Sequence, residues 1–236
     1  MNEVSIVVPA HNAGDDFKHD MQRLHEFVQH SFNDAELIIA EDGSTDDTAL
    51  HADELADRYN SVRAVHATQS LGKGGGLMNG FDEAKGTVLA FIDADLAPSL
   101  NGLVNVVNAV SSEQYDAAVG SRALSEAQEE RPYHRRFASK QYNKLIRRMF
   151  NSSIQDHQCG CKAIRRDPYD ALRPNLRSRD FFWDTEFLVR LQEQGHKVVE
   201  VPVEWSPQEE STVDAKSATP RMMTQLFALW VENRFS

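Results

Sequence analysis

The sequence predicts an α/β domain built on a mostly parallel, doubly wound sheet flanked by helices, and three observations lead to that class. Short apolar runs alternate with stretches of helical periodicity, the runs have strand length, and acidic or glycine-rich turns follow several of them. The 236 residues, 41% of them hydrophobic, suffice for one such domain with an elaboration but would be cramped as two.

Taken in order, Val4 to Val8 is the opening strand, and a helix is expected over 15–31. Leu37-Ile38-Ile39-Ala40 forms the second strand, and the Asp-Gly-Ser-Thr turn at 42–45 opens a helix over 46–59. Val62 to His66 is a third strand, and the run Gly72-Lys73-Gly74-Gly75-Gly76 leads a helix over 74–84. Val88 to Ile92 reads as a buried strand, a helix follows over 99–112, and Ala117-Ala118-Val119 is the next strand. After residue 125 the rhythm breaks into a basic helix, a Cys/Gly turn, an aromatic and acidic helix and a last strand, Val198 to Val203. The whole of 1–236 is therefore expected as a single domain, with 1–125 as one half and 126–236 as its elaboration.

A formal charge of −11 argues against a general nucleic-acid binder, so any anionic partner must meet a local basic patch. Cys159 and Cys161, one residue apart, are too close for an ordinary disulfide and too few for a zinc cage, which points to a reducing, cytoplasmic setting. The first residues lack the features of a secretory signal and no apolar run has the length of a membrane span, so the expected location is cytoplasmic, peripheral if the substrate is a lipid.

Three segments fall where ligands of open α/β sheets bind, beyond the carboxyl ends of strands. Pro9-Ala10-His11-Asn12 ends the first strand and Glu41-Asp42-Gly43-Ser44-Thr45-Asp46 the second, where an acid can accept hydrogen bonds from a base or ribose. An ordinary turn and helix cap would use the same residue types. The glycine run at 72–76 lets backbone amides and Lys73 approach phosphates, but its spacing is neither a P-loop nor a dinucleotide fingerprint. Asp93-Ala94-Asp95 carries two carboxylates that strand alternation would point the same way, a hard-oxygen pair suited to Mg²⁺ or Mn²⁺ on a diphosphate. Residues 131–150 contain no acid, and on a helix Arg136, Lys140, Lys144, Arg147 and Arg148 would oppose an apolar stripe of Phe137, Ala138, Tyr142, Leu145, Ile146 and Met149. Such a face suits an acceptor phosphate or anionic headgroups. The segment 221–230 is a further amphipathic helix candidate.

Together these motifs resemble glycosyltransferase family 2, in its dolichyl-phosphate glucosyltransferase and mannosyltransferase branch, over nearly the whole chain. Val7-Val8-Pro9-Ala10-His11-Asn12 resembles its opening strand, Glu41 to Asp46 its nucleotide-binding turn, Asp93-Ala94-Asp95 its DXD motif and Gly120-Ser121-Arg122 its pyrophosphate-side Arg loop. Asp156-His157-Gln158-Cys159-Gly160-Cys161-Lys162, Trp183-Asp184-Thr185-Glu186 and Glu200 to Trp205 are similar to the glucosyltransferase side of that branch. The chain departs from the pattern at His11 and Ala13, and Glu209-Glu210-Ser211-Thr212 stands where a basic segment is expected.

The resemblance implies a GT-A-type fold with a nucleotide-sugar half, an acceptor-side half and inverting transfer of a hexose from a UDP- or GDP-sugar to a polyprenyl phosphate at a membrane surface. It implies Asp93 and Asp95 as metal ligands and Arg122 and Asp184 as further catalytic residues. Pro9, His11, Asn12, Ala40, Asp42, Asp46, Lys73 and Ala94 would join Asp93, Asp95 and Arg122 around the donor, with Arg131, Arg135 and Arg136 at the acceptor phosphate. A saccharide hydroxyl as acceptor, with Asp184 as base, and a non-catalytic sugar-nucleotide-binding adaptor are the alternatives.

Overall fold

The computed structural model describes residues 3–129, 133–206 and 215–235. Its first half is the expected alternation: β1 (Val4–Ala10), α1 (Phe17–Ser31), β2 (Ala35–Glu41), α2 (Thr48–Arg58), β3 (Val62–His66), α3 (Lys73–Glu83), β4 (Val88–Ile92), α4 (Leu100–Ser111) and β5 (Ala117–Ser121). β1, β2 and β4 bury nearly every residue because helices cover both faces of the sheet, which explains their continuous apolar composition.

The second half contributes β6 (Gln128–Glu129), α5 (Tyr133–Phe150), β7 (Cys161–Arg165), α6 (Arg166–Leu172), α7 (Trp183–Glu193), β8 (Val198–Pro202), β9 (Glu204–Trp205) and α8 (Ala215–Phe235). Among the described residues the main sheet has seven strands in the order β3-β2-β1-β4-β7-β5-β8, and β6 pairs with β9 apart from it. β7 runs antiparallel between β4 and β5, whereas the remaining pairs are parallel. The sequence reading has only a Cys/Gly turn here. Cys161 opens a strand instead, and Lys162 at its second position hides the apolar pattern that would have marked it.

Inserting β7 brings the 156–160 turn to the carboxyl edge of β4, where Asp93 N donates to Gly160 O at 2.9 Å. A side chain at Gly160 would overlap the Asp93 carboxylate, so this close approach requires glycine. The main core spans the sheet and its helices, with Phe81, Phe91, Tyr169, Trp183 and Phe187 in edge and stacked contact beside α3 and α7. A second, smaller cluster of Ile146, Phe182, Val189, Leu226 and Leu229 joins α5, α7 and α8. The 221–230 segment thus packs one face inward and leaves Phe227 exposed on the other. No helix among the described residues is long and apolar enough to cross a membrane.

Candidate active site

The carboxyl ends of β1, β2 and β4 meet at one edge. After β1, Asn12 adopts a left-handed conformation (φ 47°), which turns its side chain onto the neighbouring loop: Asn12 Oδ1 accepts from Thr45 N at 2.8 Å, and Asn12 N donates to Ser44 Oγ at 3.1 Å. His11 Nδ1 lies 2.7 Å from Asp42 O. Asp46 accepts from Thr48 N at 3.0 Å and from Gly14 N at 3.1 Å, tying the start of α2 to the β1 loop. Pro9 and Ala40 are register partners on the adjacent strands. The expected nucleotide residues are therefore neighbours.

Asp42 is buried, and its oxygens are already engaged. Oδ1 accepts from Leu71 N at 2.6 Å, and Oδ2 accepts from Gly72 N at 2.9 Å and Ser70 Oγ at 2.8 Å. The carboxylate shapes the loop that presents Lys73, with Gly72 at φ 83° allowing the chain to turn into α3. The sequence reading assigns Asp42 to the base or ribose and misses this bracing, because residues 70–72 are distant in the chain.

Asp93 and Asp95 are adjacent, but not for the reason that strand alternation suggests. β4 ends at Ile92, and the two carboxylates lie in a turn closed by Leu96 N donating to Asp93 O at 3.0 Å. Asp95 Oδ1 accepts from Ala97 N at 3.0 Å; desolvation, together with the Asp93 charge, raises its pKa. Asp93 Oδ1 is buried and receives no hydrogen bond of good geometry, although Lys73 Nζ stands 2.8 Å away. Two hard carboxylates with an under-coordinated oxygen fit Mg²⁺ or Mn²⁺. Among the described residues no group of three or more His, Cys, Asp or Glu surrounds a point, so a diphosphate and water would complete the shell.

Beneath this turn lies a chain of charges that the sequence does not reveal. Lys73 Nζ donates to Asp184 Oδ2 at 2.9 Å, and Lys162 Nζ donates to Asp184 Oδ1 at 2.5 Å and to Cys159 O at 2.7 Å. Asp184 and Lys162 are each 1% exposed. Burial opposes ionisation of Asp184, but the Lys162 and Lys73 charges outweigh it and hold the pKa below the usual carboxylate range. Burial likewise opposes the charged form of Lys73, and Asp184 and Asp93 overcome it. Glu186, two residues along α7, accepts from Ser178 N at 2.7 Å and pairs with Arg190 at 2.8 Å, so it braces the 177–178 loop. Cys159 and Cys161 are buried, and burial pushes the Cys159 thiol up to about 12, which leaves it inert.

Beyond β5, Arg122 is gripped by Asp156 through Nε at 2.7 Å and Nη2 at 2.8 Å, while its guanidinium lies 5.6 Å from the Trp205 ring centre. Burial would raise the Asp156 carboxyl, but the Arg122 charge and hydrogen bonds hold it at about 2. A cavity of about 840 Å³ opens beside this pair, with Arg122, Arg136, Lys140 and Arg147 in its wall. Phe137, expected in the apolar stripe of α5, is 53% exposed and lines the same cavity; Tyr142, Leu145, Ile146 and Met149 form the packed face. Lys144 and Arg148 are also exposed. Arg131 and the segment 209–212 lie outside the described residues, as does the side chain of Arg135.

Comparison with known proteins bears directly on this arrangement. The family model of Glycosyl transferase family 2 matches residues 5–173, which include the Asp93–Asp95 turn, Arg122 and Lys162. Over 231 residues the chain is 39% identical to glycosyltransferase AglD of Haloferax volcanii, covering 97% of this chain and 37% of that one. It is 30% identical over 214 residues to the dolichyl-phosphate beta-glucosyltransferase ALG5D of Trichomonas vaginalis, covering 86% of this chain and 65% of that one. The chain thus spans about a third and about two thirds of these two relatives. The fold is shared with glucosyl-3-phosphoglycerate synthase from Mycobacterium tuberculosis, crystallised with Mn²⁺, UDP and phosphoglyceric acid, at a TM-score of 0.75 and 18% identity, covering 97% of this chain and 78% of that one. With the match extending over most of the chain and the acidic turn standing at the ligand-binding edge of the sheet, the protein belongs to glycosyl transferase family 2.

Proposed function

We propose that this protein transfers a hexose, with inversion, from a nucleotide diphosphate sugar to a polyprenyl phosphate of the dolichyl type. The observation that carries the acceptor class is the contrast between the two sides of the site. The cavity beside Arg122 carries Arg136, Lys140 and Arg147, while Asp184, the buried carboxylate beneath the Asp93–Asp95 turn, is held ionised between two lysines. A saccharide hydroxyl needs a base, and a carboxylate with a depressed pKa is a poor one. A phosphate monoester is already anionic at neutral pH and needs positioning instead.

In this reading Asp93 and Asp95 would hold Mg²⁺ or Mn²⁺, which would supply positive charge to the diphosphate leaving group. The loop at Pro9–Asn12 and the Asp42-braced turn receive the nucleotide, and Lys73 approaches its phosphates. Asp156 fixes the plane of the Arg122 guanidinium toward the pyrophosphate side. Arg136, with Lys140 and Arg147, receives the acceptor phosphate. The names of the relatives AglD and ALG5D support the glycosyl-transfer class, and that of ALG5D supports the lipid-phosphate acceptor.

The exposed Lys144 and Arg148 on α5, with exposed Phe227 on α8, support reversible docking on an anionic cytoplasmic membrane face, at about 1 kcal/mol per basic residue. The test of function is a panel of labelled UDP- and GDP-sugars with polyprenyl phosphate and Mn²⁺. One donor should yield glycolipid in the wild type and none in Asp95→Ala. Transfer to a free saccharide alone, or undiminished turnover in Asp95→Ala, would refute the assignment.

A further inference from the structure

We infer that Lys73 is an internal counter-cation for Asp93, occupying the charge position of the divalent ion until donor diphosphate draws it away. The inference rests on the metal and donor reading above, and goes beyond it by linking the two binding events through one side chain.

Four groups of alternating sign run from the core to the site mouth: Lys162, Asp184, Lys73 and Asp93. Lys162 is fixed from within, since its Nζ also donates to Cys159 O at 2.7 Å and it is 1% exposed. Asp184 is held on its Oδ1 by Lys162, so it keeps a partner whatever Lys73 does. Lys73 Nζ bridges Asp184 Oδ2 at 2.9 Å and Asp93 Oδ1 at 2.8 Å, and its side chain retains 11% exposure at the mouth. It is the first residue of α3, on a flexible four-carbon stem.

A divalent ion ligated by Asp93 would lie within a few ångströms of this ammonium group, and two cations in a poorly hydrated cleft repel strongly. Metal alone must therefore displace Lys73 without offering it a replacement for Asp93. A nucleoside diphosphate offers that replacement, because its oxygens can take the place of Asp93 on the ammonium while Asp184 Oδ2 still accepts from it. Lys73 thereby makes the ion bind weakly before the donor and well with it, and by linkage the ion strengthens donor binding by the same factor.

The experiment is titration of Mn²⁺ followed by electron paramagnetic resonance, with and without UDP, in wild type, Lys73→Met, Lys73→Gln and Lys73→Arg. Lys73→Gln retains a hydrogen-bond donor for Asp184 and guards against a folding defect in Lys73→Met. Removing one positive charge at this range should tighten Mn²⁺ binding without UDP by roughly tenfold in the Met and Gln variants. The further tightening on adding UDP should shrink in both, and Lys73→Arg should behave as wild type. If wild type binds Mn²⁺ with UDP but the neutral variants bind free Mn²⁺ no better than it does, the counter-cation role is wrong. If wild type binds no Mn²⁺ even with UDP, the metal reading itself fails and this inference falls with it.

Discussion

Replacing Asp184 by Asn separates a buried ion-pair role from a catalytic-base role. The substitution preserves shape but removes the carboxylate that pairs with Lys162 at 2.5 Å, leaving that ammonium against the neutral Cys159 O and the Phe91 ring. Both residues are 1% exposed, so water cannot replace the lost charge. Breaking a buried pair by deleting one partner destabilises by roughly 3–5 kcal/mol. For a domain of this size, each kcal/mol moves Tm by roughly 2–4 °C, so a fall of roughly 6–20 °C is expected. Lys162→Met should be milder, because Asp184 keeps Lys73 at 2.9 Å. Differential scanning calorimetry gives both shifts, and UDP titration reports whether the donor site is disturbed with them. An Asp184→Asn protein that loses turnover while keeping wild-type Tm and UDP affinity would refute the ion-pair reasoning and restore the residue as a base.

Two further outcomes follow from the same hydrogen-bond networks. Asp42→Ala frees Ser70, Leu71 and Gly72 from their shared acceptor, so UDP binding measured by calorimetry should weaken about tenfold or more, through loss of loop order; unchanged affinity would place the nucleotide away from this loop. Asp156, with its folded pKa depressed to about 2 against an ordinary value of 3.8, stabilises the fold above the unfolded pKa. That contribution, about 2 kcal/mol, is lost as pH falls from roughly 4 through 2. Urea melts of wild type and Asp156→Asn should therefore converge below that window and diverge above it; parallel curves across it would contradict the Arg122 pairing.

The alternation of apolar runs and helical stretches determined the parallel part of the sheet, because strands buried on both faces must be continuously apolar and their crossovers must be helical. It also determined that Asp93 and Asp95 stand at the ligand edge, since both follow a buried strand directly. Short-range chemistry of this kind is written in consecutive residues. Tertiary structure decided what lies far apart in the chain. β7 enters the sheet antiparallel with a charged Lys162 inside it, a placement tolerated because Asp184, 22 residues on, compensates the charge. Lys73 reaches Asp184 across 111 residues and Asp42 braces a loop 28 to 30 residues away, so the engaged state of each carboxylate was invisible in the motif that announced it. A motif specifies which groups are available; which of them remain available to a ligand depends on what the fold has already paired with them.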